Sequence, residues 1–206
     1  MSANFDFMKD INKNYYSKLV AIESEARIKP KEAAKKCRSL LEDFINDLFQ
    51  KNNIEKDDKL YKNLRNLEEN SKLGIPKLGL LEYDVIDMNG TISKVKRPRL
   101  YFVKELANAA LHEGLPTKKG DKKVIISSGA VIEALRTYYK LFTSYYRNRI
   151  KGKTQFLESQ IPLGKYVVSS SYVPVDTERS KCVRERAYKI YWRRGFLYLY
   201  QLSSYV

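Results

Sequence analysis

The chain has 206 residues, 43% hydrophobic and 31% charged, enough for one core or one core with a small appendage. No run approaches the roughly 18 apolar residues that a membrane span needs, and residues 1–10 lack the basic head, apolar centre and small-residue cleavage site of a secretory leader. No membrane partner is expected, and the cytoplasm is the expected compartment. Two cysteines, Cys37 and Cys182, and one histidine, His112, show no metal-ligand spacing, so neither a metal nor a cofactor is expected. The net charge of +15 is local. Residues 1–90 hold 16 Lys+Arg against 16 Asp+Glu, whereas residues 91–206 hold 23 against 8. A basic half joined to a neutral half, with 16 tyrosines in the chain, suggests a surface that meets a polyanion, most commonly nucleic acid.

Met8, Ile11, Tyr15, Leu19, Ile22 and Ala26 recur three or four residues apart, predicting a first amphipathic helix. Pro30 suits the first turn of a second helix, continued by Ala33, Cys37, Leu40, Leu41, Phe44, Ile45 and Leu48 and broken by residues 51–58. Leu60, Tyr61, Leu64 and Leu67 predict a third, ending before Gly74-Ile75-Pro76. Alternation from Leu81 to Val95 around Asn89-Gly90 predicts an inserted β-hairpin. Residues 102–111 return to helical spacing and stop at Gly114 and Pro116. Lys118, Lys119, Lys122 and Lys123 surround Gly120-Asp121 in a charged turn. Ser127 or Ser128 then caps a helix striped by Val131, Leu135, Tyr138, Phe142 and Tyr145.

After Arg147 and Arg149 the chain turns to Tyr, Val and Ser, predicting strands at residues 166–175, 187–192 and 196–202, the last two joined at Arg193-Arg194-Gly195. The end on Tyr205-Val206 leaves an apolar edge strand with no polar tail, which natural proteins usually cover, and so suggests a piece of a longer protein. The expected organisation is a helical domain at 1–148, with a hairpin insertion at about 81–96, and a basic, aromatic-rich β segment at 149–206 that starts a further domain.

The segments N-F-D-F-M-K, A-I-E-S-E-A and K-P-K-E-A-A-K-K-C-R-S-L-L-E-D-F resemble the opening of the HEPN-like helical domain that precedes the motor in type I restriction endonuclease subunits and occurs in other prokaryotic defence proteins. D-D-K-L-Y-K-N-L-R-N-L is similar to that family's third helix, and V-K-E-L-A-N-A-A-L-H-E-G to its later signature. The family's R-x-x-x-E falls on Arg38 and Glu42, at a spacing that shares one helix face. Asn108 and His112 match in place; Lys104 stands where arginine is usual, and Ala107 where glycine is usual. The resemblance spans residues 4–146 and implies a mainly α, HEPN-like bundle, often paired as a homodimer, beside a nucleic-acid-processing machine. Other subunits or domains of a defence complex are the further partners it implies.

Catalytic HEPN ribonucleases set an arginine about five to seven residues before a histidine, one polarising phosphate and the other handling a proton. Here those positions are Ala107, Leu106 and Glu105, so the resemblance implies a non-catalytic member, with His112 a structural hydrogen-bonding residue at a helix end. No phosphate-cradling glycine loop and no serine or cysteine triad is present.

The densest chemical signal is R-E-R-A-Y-K-I-Y-W-R-R-G-F-L-Y-L-Y. Arg184, Arg186, Lys189, Arg193 and Arg194 offer charge for phosphates and Tyr191 a ring for stacking, while Trp192 is expected to pack the sheet. With Lys118, Lys119, Lys122, Lys123, Arg147 and Arg149 they make up the expected DNA- or RNA-binding set. The expected function is a non-catalytic nucleic-acid-binding accessory domain of a restriction or anti-phage defence protein; the alternative is a protein-interaction and dimerisation domain preceding an enzyme domain.

Overall fold

The computed structural model describes residues 4–70, 78–86, 91–112, 126–152, 154–163, 188–193 and 196–201, with side chains except at 86, 112 and beyond 163. It is mainly helical: α1 (Lys13–Glu25), α2 (Pro30–Lys51), α3 (Leu60–Glu69), α4 (Arg99–His112) and α5 (Ser128–Tyr145). An antiparallel hairpin, β1 (Leu80–Ile86) and β2 (Ile92–Pro98), is inserted between α3 and α4. The chain divides into two compact units, Met1–Gly164 and Lys165–Val206. The second holds an antiparallel pair, β3 (Tyr188–Arg193) and β4 (Phe196–Gln201), with Lys189 opposite Tyr200 and Tyr191 opposite Tyr198. The strand expected at 166–175 lies outside the described residues.

Two helix starts differ from their apolar periodicity. Met8 and Ile11 precede α1 rather than belonging to it: Asp6–Met8 is a single 3₁₀ turn, and the Asn12 side chain caps α1 by accepting the Tyr15 N–H. A side-chain acceptor at an N-cap satisfies an N–H that the helix itself leaves open, so the capping residue overrides the stripe that continues before it. Helix α4 begins three residues before the expected Phe102, because β2 runs directly into it at Pro98-Arg99 without a loop. The expected Ser127 cap is present, its hydroxyl accepting the Ala130 N–H.

Helix α2 is the centre of the first unit. Its buried residues Ala33, Ala34, Cys37, Leu40, Leu41, Phe44, Ile45, Leu48 and Phe49 cover about half of its circumference at 100° per residue, and it packs on α1, α3, α4 and α5. Tyr15 of α1, Phe44 of α2 and Tyr138 and Phe142 of α5 interlock: Phe142 stacks on Tyr15 at 5.6 Å and on Tyr138 at 5.8 Å, with Phe44 edge-on at 5.6 Å. The buried Tyr138 hydroxyl donates to the Cys37 carbonyl, joining α5 to α2. Beside it, burial pushes the Cys37 thiol up to about 12, which makes it an inert packing group.

Helix α5 buries a second side that its stripe does not announce, with Ile132 and Tyr139 covered. Tyr139 meets Phe5, Phe7 and Phe156 edge-on at 5.6–6.0 Å, so the residues before α1 and those after α5 close over it together. Residues 154–163, beyond the sequence boundary at 148, therefore pack on the helices, and Ile161 is buried. The buried Asn4 amide fastens them: it donates to the Leu157 carbonyl at 3.1 Å, accepts the Leu157 N–H at 2.6 Å, and donates to Glu23 Oε1 at 2.8 Å. Glu158 adds ion pairs to Arg136 at 3.0 Å and Arg27 at 3.6 Å.

Glu23 is 2% exposed and its Oε2 has no hydrogen-bond partner among the described residues. Burial pushes its carboxyl up to about 7, against the opposing pull of the Asn4 amide. Because the folded value lies above the ordinary 4.5, this group's contribution to stability is complete below pH 4.5 and is lost as pH rises through about 7. The loss is about 3 kcal/mol at full ionisation. Glu23→Gln keeps the acceptor for Asn4 and removes the charge. It should match wild type near pH 4.5 and exceed it by roughly 1–3 kcal/mol at pH 8, measured by urea unfolding at both values; an equal offset at both would show that the carboxylate is not the cause.

Candidate nucleic-acid interface

Arg38, Glu42 and Asn108, which carry the family resemblance, meet where α2 crosses α4. Arg38 Nε donates to Glu42 Oε1 at 2.7 Å along α2, and Arg38 Nη1 donates to Asn108 Oδ1 at 2.7 Å across to α4. This is a cross-helix tie in which the Arg38 guanidinium bridges the Glu42 carboxylate and the Asn108 amide, the geometry of a structural clamp. Lys104 does not join it: its ammonium pairs with Glu105 at 2.6 Å and lies 5.9 Å from the centre of the Tyr101 ring. His112 ends α4, but its side chain is outside the described set.

The expected binding residues are distributed unevenly. Lys118, Lys119, Lys122, Lys123, Arg184, Arg186 and Arg194 lie outside the described residues; Lys189, Tyr191 and Arg193 are placed on β3 by backbone alone. Arg147 and Arg149 are described in full. Both are exposed on the 3₁₀ turn Arg147–Arg149 that follows α5, which the Arg149 N–H closes on the Tyr146 carbonyl at 2.8 Å. With exposed Lys51 and Lys151 they are four cations that have no carboxylate within ion-pair distance among the described residues.

Arg149 and Lys51 share the mouth of a cleft of about 140 Å³ between the ends of α2 and α5 and the start of α1. Tyr15, Phe44 and Leu48 form its buried floor, Tyr145 and Tyr146 its half-buried wall, and exposed Asp47, one turn before Lys51 on α2, part of its rim. Three chain ends make this opening. Asn12 starts α1 beside it, and α2 stops at Lys51 in a Schellman closure, where Ile54 N–H reaches the Phe49 carbonyl at 2.9 Å and Asn53 N–H reaches that of Gln50 at 3.3 Å. Asn53 takes φ 53°, a left-handed conformation that asparagine tolerates better than most residues. Tyr146 ends α5, its N–H bonded to the Phe142 carbonyl at 2.9 Å.

The Tyr15 hydroxyl donates to Asp47 Oδ2, which orients the carboxylate at the rim. Burial and the Asp47 charge raise the Tyr15 phenol well above its ordinary range, so it remains a donor throughout the accessible pH range. Burial also raises Tyr146, whose hydroxyl is raised further by Asp47 and lowered by Arg149. The chemistry of the cleft is thus a carboxylate and a cation, Asp47 and Lys51, one turn apart on α2, with two tyrosine rings and the Arg149 cation contributed from the end of α5. Tyr145-Tyr146 followed by Arg147-x-Arg149 is visible in the sequence as an aromatic–basic juxtaposition; Asp47 carries no such signal, being one more polar residue on an amphipathic helix.

No family model, no curated protein and no solved structure matches the chain. Among the described residues no helix is long and apolar enough to cross a membrane.

The clamp generates a prediction. Arg38→Ala and Asn108→Ala should each destabilise the fold by about 1 kcal/mol, the net worth of an ordinary hydrogen bond. In the double mutant the losses should fall short of additive by 0.5 kcal/mol or more. Urea unfolding of the four proteins measures this coupling; strictly additive losses would mean that the two side chains do not depend on each other.

Proposed function

We propose that the chain is a non-catalytic nucleic-acid-binding accessory domain of a prokaryotic restriction or anti-phage defence protein, working in the cytoplasm as a homodimer. The observation that supports it most is a pair of exposed cations, Lys51 and Arg149, that line a tyrosine-walled cleft and have no carboxylate within ion-pair distance among the described residues. Exposed cations that make no internal ion pair remain available to phosphate, and neighbouring aromatic rings supply stacking surfaces that tolerate any base. The charge asymmetry agrees with it, since residues 91–206 hold the whole excess of +15. The structural part given to Arg38, Glu42 and Asn108 agrees with an accessory rather than a catalytic role.

A second reading, a protein-interaction and dimerisation domain preceding an enzyme domain, draws on the inserted hairpin. Tyr83 holds it to α4 through an edge-on contact with Phe102 at 5.3 Å, while Leu80 is 54% and Ile92 47% exposed. The two lie at opposite ends of the hairpin, across from Pro98 and Ile86, and each offers a separate apolar point for a protein contact.

Salt dependence separates the two. Binding to phosphate should fall linearly on a log–log salt plot, and Arg147→Gln with Arg149→Gln should weaken it and flatten that plot by about 0.7 to 0.9 for each lost contact, depending on strand form. Stability should change by less than about 1 kcal/mol, since exposed charges contribute little. Absence of binding to duplex and single strands at low salt would remove the nucleic-acid role and leave the interaction reading.

A further inference from the structure

A site built only for phosphate has no use for a carboxylate at its mouth, because Asp47 would repel the ligand that Lys51 and Arg149 attract. Nor is Asp47 neutralised in place: among the described residues it takes the Tyr15 hydroxyl and has no cation within ion-pair distance. A carboxylate only accepts hydrogen bonds, and its two oxygens offer about four lone-pair sites, so capacity remains after the tyrosine bond. Tyr145, Tyr146 and Arg149 line the cleft from the end of α5. Acceptor, ring and cation together match three parts of a single nucleotide: an amine on the base edge, the face of the base, and the adjoining phosphate.

We propose that the cleft between the ends of α2 and α5 is a pocket for one unstacked, amine-bearing base of a single-stranded nucleic acid. Asp47 accepts the exocyclic amine, Tyr146 lies against the base face, and Arg149 meets the flanking phosphate. The proposal rests on the nucleic-acid reading above and adds the strand form and base class. Several features make the opening suited to this. Its floor is preorganised, since Tyr15 and Phe44 are held by the packed core rather than by the ligand. Asp47 is oriented before binding by the Tyr15 hydroxyl, which makes Tyr15 a positioning residue. A base paired in a duplex has its amine engaged and its faces stacked, so it offers the cleft neither; a single strand offers both. Thymine and uracil present carbonyl oxygens where adenine and cytosine carry amines, and an oxygen facing a carboxylate is repelled.

The test uses the full chain with fluorescent DNA dodecamers of oligo-dA, oligo-dC and oligo-dT and a duplex of the same length, titrated by anisotropy at low salt. Wild type should bind oligo-dA and oligo-dC several-fold tighter than oligo-dT, and tighter than the duplex. Asp47→Asn, which can still accept the tyrosine bond but also presents donors, should bring the three single strands within about two-fold of one another while leaving the salt slope unchanged. Tyr146→Leu should weaken all three by about ten-fold, the loss of one stacked base, with a urea midpoint close to wild type confirming that the fold is intact. Salt-dependent binding with no base preference, or a preference that survives Asp47→Asn, would overturn the pocket and leave the nucleic-acid role standing. Failure of wild type to bind any of the four would overturn both.

Discussion

Helix α2 must bury about half of its circumference, and the rest of the first unit is arranged to satisfy that requirement. A helix with a narrower stripe could lie on the surface of a two-layer packing. A face running from Ala33 through Leu41 to Phe49 has to be covered from more than one direction, so α1 and α5 close one side while α4 closes another. Phe44 and Phe142 fix the first of these contacts through ring geometry, and Arg38 with Asn108 ties the second. The polar tie lies at a half-buried crossing where each partner would otherwise need water.

The same logic explains why the segments before α1 and after α5 belong to the helical unit. Helix α5 meets α2 with Tyr138 and Phe142 but also carries Ile132 and Tyr139 around its other side. Phe5, Phe7 and Phe156 supply the cover, and Asn4 satisfies the backbone of Leu157 where no regular strand does so. That closure brings Glu23 into the interior with one oxygen unpartnered among the described residues, which is a cost carried at neutral pH for joining two distant parts of the chain.

Where helices end matters as much as where they pack. The cleft exists because α2 is stopped by a Schellman closure, α5 by Tyr146, and α1 begins only at Asn12. Had α1 continued back through Ile11 and Met8 as the apolar spacing suggests, helix would occupy the residues that border the opening. The Asn12 cap thus determines a feature that could serve binding, and Tyr15, three residues on, connects the capped end to Asp47.

The amino-acid sequence by itself determined the mainly helical class, the five helices, the inserted hairpin and a serine cap at Ser127 or Ser128. Each rests on local information: a 3.6- or 2-residue period, a capping side chain, or a turn pair that tolerates positive φ. It also located Arg147 and Arg149 beside tyrosines, because charge and ring chemistry are legible without coordinates. What only tertiary structure decided depends on meetings between residues far apart in the chain. The tie from Arg38 to Asn108 spans 70 positions and that from Asn4 to Leu157 spans 153. Periodicity shows which side of a helix is apolar, but not that α5 has two covered sides, nor that exposed Asp47 and Arg149 line one cleft. Those facts follow from how elements are packed and where they stop, and packing selects among many contacts that the same local patterns permit.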